Sequence, residues 1–71
     1  MNARTRRKLD GAIERYKAAP TQEAADAIKV CLKDVRQPVA FMLRQEGRVG
    51  EELIWIPEKQ ELQHGTWTRF E

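Results

Sequence analysis

The chain has 71 residues, of which 34% are charged and 41% hydrophobic, with a formal net charge of +2. A chain this short buries only roughly 60% of the surface its unfolded form exposes, which suits one domain, 1–71, without an elaborate enclosed active site. The composition argues against wholesale disorder. The longest apolar run is too short to span a membrane, and "MNARTRRKLDGAIERYK" lacks the apolar core that a signal peptide carries behind its basic residues, so a cytoplasmic protein is expected.

The charge is uneven. Residues 1–19 set six cations (Arg4, Arg6, Arg7, Lys8, Arg15 and Lys17) against Asp10 and Glu14, which gives +4, whereas residues 39–71 carry −2. The basic end points to an anionic partner, although a solvated helix face would use the same residues. Cys31 is the only cysteine, so no internal disulfide can form, and it is expected as a small buried apolar residue.

In chain order, Leu9, Ala12, Ile13 and Tyr16 recur at three- and four-residue spacing and predict a first amphipathic helix over 4–18, capped by Asn2 or Thr5. Pro20 closes it by disfavouring helical geometry at Ala19, and Thr21 caps a second helix over 21–29. The stripe Ala24, Ile28, Leu32, Val35, Val39 and Met42 would permit one long helix. However, Val30 and Phe41 would then face water, and Pro38 in a helix interior costs about 3 kcal/mol. A break near "KVCL" is therefore expected, with Val30 folding inward and a third helix over 34–46 that ends at Gly47. Ile28, Val35 and Val39 are its core candidates.

Beyond Gly47 the period changes. "ELIWIP" (52–57) and "GTWTRF" (65–70) read as two antiparallel strands. The polar "EKQELQH" between them should form an exposed loop or carry an extra ladder pair. Trp55 and Trp67 read as core or as a cross-strand pair. Phe70 closes the core or belongs to a homodimer surface. His64, alone in the polar loop, offers no metal site, and no metal, other cofactor or catalytic residue is expected. The chain has no Gly-rich phosphate loop or nucleophile motif, so an enzyme is not expected.

"TQEAADAIKV", "LKDVRQPVAFMLRQEGRV" and "ELIWIP…GTWTRF" resemble, in turn, the first helix, the recognition helix and the wing hairpin of the winged helix-turn-helix domains of bacterial and phage transcription regulators. Lys29 stands where that family usually has glycine, and Pro38 is unusual inside a recognition helix. The resemblance implies an α+β fold of three helices followed by a two-stranded wing, binding double-stranded DNA sequence-specifically as a small transcription regulator. Lys33, Arg36, Gln37, Arg44 and Ala40 would then face the major groove, where Arg matches guanine and Gln adenine. Arg4, Arg6, Arg7 and Lys8, with Lys59 at the wing tip, would meet phosphates. A protein-binding adaptor or inhibitor on the same scaffold is the rival expectation, since Trp and Arg also anchor protein interfaces.

Overall fold

The computed structural model describes residues 1–70, which form α1 (Ala3–Ala18), α2 (Gln22–Leu32), β1 (Val39–Glu46), β2 (Val49–Ile56) and β3 (Glu61–Thr68). The helices make an antiparallel hairpin. The strands make one antiparallel sheet in the order β1-β2-β3, each beside its neighbour in sequence. The helical hairpin covers one face of this sheet.

The helix starts follow from their caps. Asn2 accepts a 2.8 Å bond from the Thr5 amide, and Thr21 accepts one of 3.2 Å from the Ala24 amide. These satisfy donors that the first turn of a helix leaves unpaired. Leu9, Ala12 and Ile13 are the buried face of α1, and Ala24, Ile28 and Leu32 that of α2. α2 runs on past residue 29 to Leu32, and Val30 does not fold inward but is 66% exposed. At about 100° per residue it lies some 200° from Ile28 on a helix that never breaks there.

The third helix and its two-stranded wing are not present. Residues 33–38 form an irregular connection, and 39–46 is a strand. Val35, Val39 and Met42 satisfy a helical spacing, but Val39, Phe41 and Leu43 satisfy the period of two, and "VAFML" is of the β-branched and aromatic kind that suits a pleated surface. Pro38, costly inside a helix, stands just outside the strand, where its missing N–H removes nothing from the ladder. Ile28 is core, whereas Val35 and Val39 are only half-buried.

Phe41, Leu43, Leu53, Trp55 and Leu62 face the helices and complete the core, with Trp55 1% exposed. The register slips between Met42 and Arg44, a bulge that lets Leu43 stay in the core while Arg44 also reaches the helix layer. Gly47 does not end a helix. With φ of 61° it opens the two-residue turn between the paired Glu46 and Val49, a conformation that glycine adopts without strain.

The ladder from β2 to β3 extends through residues 61–64, so "EKQELQH" shrinks to a four-residue turn, 57–60, and His64 lies in a strand. Trp55 and Trp67 do not pair. Alternation puts Trp55 against the helices and Trp67 on the opposite face, where its ring lies over its cross-strand partner Gly50. Phe70 is 89% exposed and does not close the core. Among the described residues no helix is long and apolar enough to cross a membrane.

Candidate nucleic-acid interface

The fold has two ends, set by how its two hairpins stack. α1 flanks β1 through Asp10, Ile13 and Glu14 beside Ala40, Phe41 and Met42, and Arg44 on β1 donates to the Lys17 carbonyl at 3.2 Å. The first two turns of α1 therefore project beyond the start of β1. Because α2 returns antiparallel, its last turn sits beside those projecting turns, and Arg7 and Lys8 share a hollow with Val30 and Cys31. Trp55 ties the 33–38 connection to the same end through a 3.0 Å bond from its indole N–H to the Val35 carbonyl. The turn at 57–60 follows two residues after Trp55 and lies there too.

This geometry gathers Arg4, Arg7, Lys8, Lys33, Arg36 and Lys59 at one end of the molecule. They come from a helix, a connection and a turn, not from a recognition helix. Arg4, Lys8 and Arg15 recur at spacings of four and seven, which aligns them along one side of α1, with Arg7 next to them. All are exposed, and among the described residues none of these cations has an ion-pair partner. Gln37 is exposed on the same connection. Asp34, between Lys33 and Arg36, is the acidic residue of that connection. Glu58 and Glu61 flank Lys59, so its field is weak.

The opposite side of α1 is neutralised. Arg6 pairs with Asp10 at 3.4 Å, and Lys17 with Glu14 at 3.2 Å. Arg44 is separated from the basic end. Its Nε lies 2.8 Å from Glu51 Oε2, so a residue expected to read bases instead holds the sheet to α1. Ala40, expected beside it on a groove-facing helix, is on the sheet face turned away from the helices.

One cluster was not legible in the sequence. Glu51 Oε1 lies 3.3 Å from His64 Nε2, and His64 Nδ1 lies 3.3 Å from the Tyr16 hydroxyl. A carboxylate only accepts, so Nε2 donates to Glu51, while the Tyr16 hydroxyl, which can both donate and accept, partners Nδ1. Arg44, Glu51, His64 and Tyr16 thus form a continuous polar strap from the sheet to α1. Its members are up to 48 residues apart in the chain, and no local spacing signals such a contact.

Two further surfaces are open. The outer sheet face carries Met42, Ile54 and Trp67, with Met42 54% exposed and the Arg69 guanidinium 5.3 Å from the Trp67 ring centroid. A groove also runs between α1 and α2 on the side away from the sheet. Comparison with models of protein families, with curated proteins and with solved structures finds no match to this chain.

Proposed function

We propose that this protein binds double-stranded DNA through its phosphate backbone, using the basic end built by Arg4, Arg7 and Lys8 with Lys33 and Arg36. The observation that supports this reading is the contrast along α1: the cations on one side have no carboxylate partner among the described residues, while Arg6 and Lys17 on the other are paired. Cations left in water at one end of a small domain are an electrostatic footprint for a polyanion. Arg36 and Gln37 have donors that match base edges. On an irregular connection, however, they are not held as a helix would hold them, so backbone contact dominates and any sequence preference is modest.

The test is fluorescence anisotropy with a labelled random duplex at several salt concentrations. Five phosphate contacts give a slope of log affinity against log salt of about −4.5, at about −0.9 for each contact. Absence of binding at low salt, or a slope near zero, overturns the reading.

A further inference from the structure

The groove between α1 and α2 has features that a phosphate backbone does not need. It consists of two hollows, about 420 and 400 Å³, that share Arg15 and Ala27 and so run on into each other along the hairpin. Its floor is made of small side chains, Gly11, Ala12, Ala24, Ala27 and Cys31. One rim is cationic, with Arg7, Lys8 and Arg15. The other carries Val30, a large apolar side chain left 66% exposed. Glu23 is the carboxylate that lines it, at the end near the interhelical corner.

Gly11 is the informative residue. Glycine in a helix interior costs stability, yet a Cβ built there meets nothing within 4 Å. No neighbour within the fold requires the missing side chain. Its effect is to leave the groove floor open at this point.

We propose that this groove docks an acidic amphipathic helix of a partner protein. From Lys8 to Ala19 the groove is roughly 16 Å long, or three helical turns. A third helix laid between two antiparallel ones packs ridges into grooves, and small floor residues permit the close approach this needs. Apolar side chains of the partner at three- and four-residue spacing meet Val30 and the alanine floor, while flanking carboxylates meet Arg7, Lys8 and Arg15. The inference goes beyond the DNA reading: it shares Arg7 and Lys8 with that reading and adds Gly11, Arg15 and Val30.

The experiment titrates the full chain, followed by NMR, with a synthetic helix-forming peptide of roughly 15 residues bearing leucines on one face and glutamates beside them. The control is a scrambled peptide of the same composition. The amphipathic peptide is expected to perturb Gly11, Ala27 and Val30 and to bind about tenfold more tightly than the scramble. Gly11→Leu, whose Cβ meets nothing within 4 Å and whose longer side chain would occupy the open groove, should weaken peptide binding about tenfold without lowering Tm. It should leave binding of a random duplex unchanged. Equal binding of both peptides, no binding, or an unaltered affinity in Gly11→Leu overturns the proposal. So does loss of peptide and duplex binding together in Gly11→Leu, because the groove would then be part of a nucleic-acid surface. Failure of the wild type to bind duplex DNA counts against the DNA reading alone.

Discussion

Trp55 and Val35 are joined across the two halves of the chain: the indole N–H on β2 donates to the Val35 carbonyl at 3.0 Å, and the ring itself is buried. The bond fixes a connection that has no regular structure of its own. Trp55→Phe should therefore cost about 2–4 kcal/mol, from the lost bond, a carbonyl left without its partner and the smaller ring. Urea denaturation measures it. A midpoint equal to the wild type would show that the connection is held by something else.

Ile28 and Val30 make the sharpest contrast on α2, one fully buried and the other exposed to water. Ile28→Ala is expected to cost about 2–5 kcal/mol, and Val30→Ala less than about 0.5 kcal/mol. Comparable losses in thermal or chemical unfolding would mean that the helix turns at residue 30 after all.

Gly50 accommodates the Trp67 ring, and a Cβ at that position would run into it. Gly50→Ala should destabilise by about 1–3 kcal/mol and alter Trp67 fluorescence as the ring is displaced. In a Trp67→Ala background the same change should cost much less, a coupling that a double-mutant cycle reads directly. Additive losses would contradict the contact.

For DNA, Arg4→Ala and Lys33→Ala should each reduce the salt slope by about 0.9 and weaken all duplexes alike. Arg44→Ala should leave the slope unchanged, because its guanidinium is engaged by Glu51 and the Lys17 carbonyl. Identical slopes for all three variants would remove the distinction between the two ends of the molecule.

The local signals were legible, and the long-range ones were not. Asn2, Pro20 and Thr21 mark both ends of α1 and the start of α2 by chemistry that acts within four residues, whereas α2 ends at Leu32 and not at 29. Between residues 34 and 46 two periods compete. Val35, Val39 and Met42 suit a helix, while Val39, Phe41 and Leu43 suit a strand, and a run so short does not choose between them. The choice is made by β2, whose Leu53 and Trp55 provide the ladder and the core for Phe41 and Leu43. Phe41, on the wrong side of any helical stripe, is a local sign of this, as are Pro38 and the β-branched and aromatic character of "VAFML". At the site, the basic character of residues 1–8 was plain, but its convergence with Lys33, Arg36 and Lys59 depends on the antiparallel return of α2 and on the bond from Trp55. Arg44 shows the converse, a cation whose role is set by Glu51 across the hairpin.

The order of the elements also bears on how the chain reaches this state. Within each half every element pairs with its immediate neighbour, α1 with α2 and β1 with β2 with β3, so loop closure is cheap in both. Contacts of that kind form quickly. What remains is to bring the helical hairpin down on the meander across the linker at 33–38, which makes that docking the slow step. Substitutions in the shared core, such as at Leu9 or Leu53, would then register in the unfolding rate more than in the folding rate.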